Sequence, residues 1–269
     1  MTAQFLTAHS PISNSLTVLK LGGELIESPA DRARTSDAVA AMARDTRLVV
    51  VHGGGKAIDA ELARRGLTPE KRDGIRVTDA ATLDAVVAVL AGAANTQLVA
   101  ALSARGVRAV GLTGADDALG LSERVTAMET VSGGVVDPGL VGRPIGAPAT
   151  LVADLCDAGY VPVIASIGVT SEGELLNVNA DIMAAHVAAA IGAARLLVAG
   201  STPGVLDAGG NLIDVLEADA LDAMLGDGTA TAGMIAKLRA CQDARDAGVA
   251  DVRIVDGTDA GFDRGTVLR

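Results

Sequence analysis

The sequence predicts an α/β fold with a mainly parallel sheet flanked by helices. Three observations lead there. Short apolar runs alternate with longer helical stretches along the whole chain. The run at residues 47–52 (RLVVVH) is apolar almost throughout, as a strand buried on both faces must be. Glycine turns close two of the runs, at Lys20-Leu21-Gly22-Gly23 and His52-Gly53-Gly54-Gly55.

Each element follows in order. Residues 1–15 are polar, with Pro11 and several Ser and Thr, and read as a short loose arm. Residues 16–21 read as the first strand and 31–44 as a helix. Residues 47–52 are a strand and 56–65 a helix carrying Asp59, Glu61, Arg64 and Arg65 on its polar side. Residues 71–78 read as a short strand or hairpin. Thr78-Asp79 then opens a long alanine-rich helical stretch to about Arg105. A strand follows at 107–112. Residues 113–148, rich in Gly, Pro and β-branched types, read as hairpins or a flap. Helices at 149–158, 179–191 and 231–247 alternate with strands at 160–167, 194–199 and 251–255. A Ser171-Glu172-Gly173 turn marks a soft boundary, giving lobes at 16–172 and 173–269 that share one continuous sheet.

Composition bounds the function. The 269 residues suit one large α/β domain or two small lobes, and 49% hydrophobic residues fill a sizeable core. Aromatics are nearly absent (Phe5, Phe262, Tyr160, no Trp), so a base-stacking surface is not expected. The net charge of −11 argues further against nucleic acid. It leaves room for a small anion held by a local cluster. Cys156 and Cys241 lack metal-ligand or CxxC spacing, so they read as buried thiols and no protein-held metal is expected. No run is read as a membrane span or signal peptide, and the expected compartment is the cytoplasm.

Of 22 basic residues only Lys20, Lys56, Lys71 and Lys237 are lysine. A lysine kept in an arginine-rich chain suggests a place where a compact ammonium is needed, as at a tight phosphate site. Compositional bias alone is the alternative for Lys56 and Lys71. The chain has neither a GxxxxGK[ST] loop nor a GxGxxG turn after a strand. Its two glycine turns instead offer backbone N–H groups at the carboxyl end of buried strands, the ligand edge of an open α/β sheet.

The segments LTVLKLGGELIES, VVVHGGGKAIDAEL, DGIRVTD, AVGLTGAD, LLNVNADIMAAHVAAAIGA, PGVLD and TATAGMIAKLRAC occur in that order. Together they resemble the amino acid kinase family, over about residues 16–257. Within it they are most similar to the members that phosphorylate N-acetylglutamate in arginine biosynthesis. The resemblance implies a three-layer αβα sandwich. Its N-terminal lobe would bind the acyl-amino acid and form a homodimer; its C-terminal lobe would bind ATP with Mg²⁺. By matching position, Lys20 resembles the lysine touching the transferring phosphoryl group and Lys237 the second, nucleotide-side lysine. Asp181 resembles the carboxylate that orients both. Gly22, Gly23, Gly53 and Gly54 resemble the surrounding backbone donors. Arg76 and Asn177 resemble substrate contacts, Arg76 on the α-carboxylate. Ser201, Gly204 and Gly233 fall in nucleotide-side loops.

Alternatives stand beside these roles. Arg76 could be a surface arginine. Asn177 and Asn179 could cap the helix that follows, and for Asn179 the cap is preferred. Asp181 could also complement the helix dipole, which does not conflict with pairing lysines. His9 lies in the arm, His186 in an alanine-rich helix, and His52 orients its glycine turn. Two positions depart from the family pattern: Lys56 replaces a proline, and Ser201 stands where an aspartate is expected. Other N-acyl amino acids, N-succinylglutamate among them, are alternative substrates. UMP, carbamate and carrier-linked aminoadipate kinases are rivals on the same fold, and a non-catalytic regulator is the rival class. The short arm, helix-poor at residues 10–15, leads us to expect a homodimer insensitive to arginine rather than a hexamer joined by N-terminal helices.

Overall fold

The computed structural model describes residues 13–72, 74–129, 134–146, 149–226 and 232–269. The chain begins with β1 (Ser13–Leu21), α1 (Pro29–Met42), β2 (Thr46–His52) and α2 (Gly55–Arg64). A small hairpin follows, β3 (Lys71–Arg72) and β4 (Ile75–Arg76). Next come α3 (Ala80–Val87), a π-helical segment (Ala88–Ala94) and α4 (Asn95–Ser103). After β5 (Ala109–Thr113), the short strands β6 (Ser122–Arg124), β7 (Met128–Glu129), β8 (Val135–Val136) and β9 (Val141–Pro144) form hairpins. Then follow α5 (Thr150–Asp157), β10 (Val161–Ala165), β11 (Ile167–Val169), β12 (Leu175–Val178) and α6 (Ala180–Ala190). The chain closes with β13 (Arg195–Gly200), β14 (Val215–Leu216), α7 (Ala218–Gly226), α8 (Ala232–Asp246), β15 (Asp251–Asp256) and β16 (Gly265–Leu268).

Eight strands make one sheet in the order β14-β16-β15-β13-β1-β2-β10-β5, with β16 running antiparallel to β15. The six strands from β15 to β5 are parallel. Alternation along β1 sorts the two faces. Leu16 and Val18 join a core with α5, α6 and α8, while Leu19 and Leu21 join one with α1 and α4. Lys20 shares the parity of Leu16 and Val18, so it points toward α6 and α8. The three-layer α/β architecture read from the sequence is present. Across this sheet the chain turns first to one side of β1 (β2, β10, β5) and later to the other (β13, β15). The crevice between β1 and β13 is therefore a topological switch point, where open α/β sheets bind ligands.

Several boundaries differ from the sequence reading, each for a local reason. β1 starts at Ser13, so residues 13–15 leave the expected arm for the sheet; residues 1–12 lie outside the described residues. α1 starts at Pro29 because Ser28 Oγ caps it, accepting from Asp31 N at 3.0 Å. The helical run 80–103 is broken in register by its π segment. It is also long and apolar enough by composition to cross a membrane, contrary to expectation, yet Leu83, Val86, Leu90, Leu98 and Leu102 are buried in the cores. The turn at 171–173 closes the β11–β12 hairpin, with Thr170 N donating to Glu174 O at 2.8 Å. β12 pairs on with β9, so this turn lies within a four-stranded side sheet, order β11-β12-β9-β6. β12, β14, α7 and β16 were not read from the sequence: three are short strands, and α7 has no cap signal before it.

Candidate active site

Three loops meet at the carboxyl edge of the switch point. The first glycine turn follows β1, the second follows β2, and Gly200-Ser201 follow β13. The glycine turns touch: a Cβ on Gly23 would lie 2.8 Å from Gly54 Cα, which only glycine at 23 avoids. α6 begins beside them. Asn179 Oδ1 caps it, accepting from Asp181 N (2.8 Å) and Ile182 N (3.3 Å), so the preferred cap role of Asn179 is present.

That cap fixes Asp181 in the first turn of α6, buried and aimed at two lysines. Lys20 Nζ lies 2.8 Å from Asp181 Oδ1, and Lys237 Nζ, from α8, lies 4.0 Å from Oδ2. One carboxylate thus spans two ammonium groups. Burial opposes the charge of Lys20, but the attraction and hydrogen bond of Asp181, with Glu24 adding, raise its pKa. Lys237 moves the other way. Burial and the repulsion of Lys20 lower its pKa against the pull of Asp181 and Glu24. Asp181 is held below the usual carboxylate range: burial alone would raise it, and the two lysines outweigh that. The site is thus a cluster in which one buried carboxylate faces two ammonium groups of unequal environment.

The second glycine turn rests on a polar pair. Asn95 Nδ2 donates to Val163 O at 2.8 Å and faces His52 Nε2 at 3.1 Å. His52 Nε2 must then accept, which leaves the proton on Nδ1, 3.2 Å from Gly53 O. Burial pushes the His52 pKa down to about 4. The ring is a neutral strut under the glycine turn, as read from the sequence.

A second cluster adjoins this turn. Arg76 is buried, and its Nη2 donates to Gly55 O (3.1 Å) and Asp59 Oδ1 (2.5 Å). Its Nη1 is buried and has no hydrogen-bond partner among the described residues. A buried guanidinium donor left open is rare and invites an anionic ligand. Thr78 Oγ1 donates to Arg76 O (2.8 Å), and Asn177 Nδ2 donates to Thr78 Oγ1 (3.0 Å). Arg76 and Asn177 therefore belong to one network, and the surface-arginine alternative is excluded.

Other sequence-read residues differ. The N–H groups of Gly22 and Gly53 already donate to Ala199 O (3.0 Å) and Leu21 O (3.4 Å), extending the sheet. The donor role read for them is corrected; Gly23 and Gly54 remain for it. Gly204 is buried at φ +143°, hard against Thr266 and Leu212. It is a turn glycine that lets Val205 N reach Thr266 Oγ1 at 2.8 Å, not an exposed ligand contact. Gly233 stands in the open first turn of α8. Lys56 is exposed at the start of α2, and Lys71 pairs with Asp59 at 2.8 Å. Ser201 is exposed and offers its backbone N–H to Glu24 Oε1 at 3.1 Å. Glu24, Asp59, Thr78 and Asn95 were missed. Thr78, inside DGIRVTD, and Glu24, directly after Gly22-Gly23, carried a local signal.

The model of the amino acid kinase family matches residues 15–256 of the chain. The chain belongs to this family. A relative from Sphingopyxis alaskensis called "Acetylglutamate kinase" is 40% identical over 245 residues, 89% of this chain and 81% of that protein. One of the same name from Methanopyrus kandleri is 38% identical, covering 94% of this chain and all of that protein. Among solved structures, smu.665 from Streptococcus mutans superposes with a TM-score of 0.80 at 25% identity, over 94% of this chain and 98% of that one. Carbamate kinase from Giardia lamblia shares the fold, with a TM-score of 0.68 at 15% identity over 95% and 98% of the two chains.

Proposed function

We propose that this chain transfers the γ-phosphoryl group of ATP to the side-chain carboxylate of N-acetyl-L-glutamate, forming an acyl phosphate for arginine biosynthesis in the cytoplasm. The observation that carries the reading is the Lys20–Asp181–Lys237 cluster at the switch-point edge. The relatives called acetylglutamate kinase support the choice of acceptor.

The chemistry suits these side chains. A glutamate carboxylate is already ionised at neutral pH, so no general base is required. Catalysis reduces to alignment and charge stabilisation. Lys20 contacts the transferring phosphoryl oxygens, and Lys237 the phosphates on the nucleotide side. Asp181 holds both ammonium groups at a set separation. The N–H groups of Gly23 and Gly54 complete the cradle. Mg²⁺ enters with ATP as part of the substrate; among the described residues no group of three or more His, Cys, Asp or Glu is placed to hold it. Arg76 Nη1 takes the α-carboxylate of the amino acid, and Asn177 lies beside it. The first lobe, together with Asn177 on β12, binds the acyl-amino acid, and the β13 and α8 side binds the nucleotide.

A hydroxylamine-trapping assay tests the reading. MgATP with N-acetyl-L-glutamate should give the hydroxamate. Product with N-succinylglutamate alone would change the acyl group. ATP binding with no product from any N-acyl glutamate would favour a regulator.

A further inference from the structure

Glu24 lies outside every role assigned so far. It sits in the single turn Gly23–Leu25 that follows β1. Its side chain folds back over Gly22, where a Cβ would lie 2.7 Å from the Glu24 carboxyl carbon. Oε1 reaches across the switch point and accepts from Ser201 N at 3.1 Å, 177 residues away in sequence. A Cβ on Gly200 would lie 3.5 Å from Glu24 Oε1 and 3.8 Å from Lys237 Nζ. The turn after β1, the loop after β13 and helix α8 therefore converge on one small space above Gly200.

We propose that Glu24 is a positioning residue for phosphoryl transfer, holding Lys237 charged and in place against the Gly200-Ser201 loop. The charges support this. Lys20 is a buried cation and Lys237 a half-buried one, and Asp181 sits nearer to Lys20, at 2.8 Å against 4.0 Å. Asp181 alone leaves the cluster one positive charge in excess; Glu24 makes it neutral. Among the described residues the groups facing Lys237 are Lys20 from β1, Asp181 from α6, Glu24, and Cys241 one turn along α8. Burial pushes the Cys241 thiol up, so it stays neutral. Ser201 brings a backbone N–H and an uncharged hydroxyl. Among the described residues Glu24 is thus the acid left to offset Lys237, and its hydrogen bond to Ser201 ties that acid to the nucleotide side.

The catalytic consequence rests on the phosphoryl-transfer reading; the electrostatic one does not, so the test reads both. Glu24→Gln keeps an oxygen for Ser201 N–H and removes the charge. With only four lysines in the chain, ¹³C,¹⁵N-lysine-labelled protein gives four side-chain signals, and Lys237→Arg identifies the one of interest. In nucleotide-free Glu24→Gln the Lys237 signal should titrate at lower pH than in the parent, with Lys56 and Lys71 unmoved, and Glu24→Asp should restore it in part. In turnover, Glu24→Gln should lower kcat/KM for ATP on the order of tenfold, as loss of an outer supporting group does. The basic limb of its pH profile should shift down, with KM for the acyl-amino acid unchanged. The Lys237 shift in a parent protein that makes no acyl phosphate would uphold the positioning and sink the kinase reading. An unchanged Lys237 titration in Glu24→Gln would overturn the proposal. So would tighter ATP binding with full kcat, which would make Glu24 a mere occupant of a phosphate position.

Discussion

Asp181 serves two lysines at unequal distance, and the inequality divides the site. The close pairing with Asp181 raises the pKa of Lys20, whereas burial and the repulsion of Lys20 lower that of Lys237. Arg76 is the third fixed cation, with one nitrogen spent on Asp59 and Gly55 and the other open. If that open nitrogen grips the amino acid in both ground and transition states, Arg76→Ala raises KM for the acyl-amino acid and leaves KM for ATP nearly unchanged. A selective rise in KM for ATP would assign Arg76 to the wrong substrate. These residues were legible because each stands in a short local motif: KLGG, DGIRVTD, NVNAD, GMIAK. The role of Glu24 was not, despite its place beside Gly22-Gly23, because its partner Ser201 is brought to it only by the crossing from β1 to β13. Gly204 misled for the opposite reason. A glycine after a strand looks the same whether it faces a ligand or, as here, Thr266.

The elements carry the site through register. β1 runs between β13 and β2, with Lys20 opposite Val198 and Val51, so its side chain meets α6 and α8 rather than solvent. The π segment in the long apolar helix, a feature often found at functional sites, precedes Asn95, which stands buried beneath His52. Regular α-helical spacing counted from Asp79 does not place Asn95, which is why the pair was invisible in sequence. The pair has a measurable cost in acid. Unfolded His52 takes a proton near pH 6.5, whereas folded His52 refuses it until about pH 4. Its contribution to stability is therefore complete above pH 6.5 and is lost as pH falls toward 4, by up to about 3 kcal/mol. His186, whose pKa burial also lowers, acts in the same sense. Urea unfolding from pH 7 to 4.5 should show a smaller loss of stability in His52→Gln than in the parent. Equal slopes would mean that His52 is not held neutral.

At the scale of the whole molecule, the alternating pattern predicted the parallel sheet and its helical layers correctly. The short strands β14 and β16 escaped because two or four residues give no period. The sheet ends at β5, whose outer edge is unpaired among the described strands. Beside it the long helix exposes Ala81, Ala88, Gly92 and Ala93. We propose this face as the seam of a homodimer. Light scattering should give twice the chain mass, and Gly92→Arg should give a monomer; a monomeric parent would refute the seam. The central claim is that a lysine point charge, set by Asp181, meets the transferring phosphoryl group. Single-turnover hydroxamate formation by Lys20→Arg tests it most directly, because arginine keeps the charge and changes the size and donor geometry. The account predicts a rate lower by about 10²–10³, with fold and ATP affinity retained. Near-parental turnover in Lys20→Arg would contradict it.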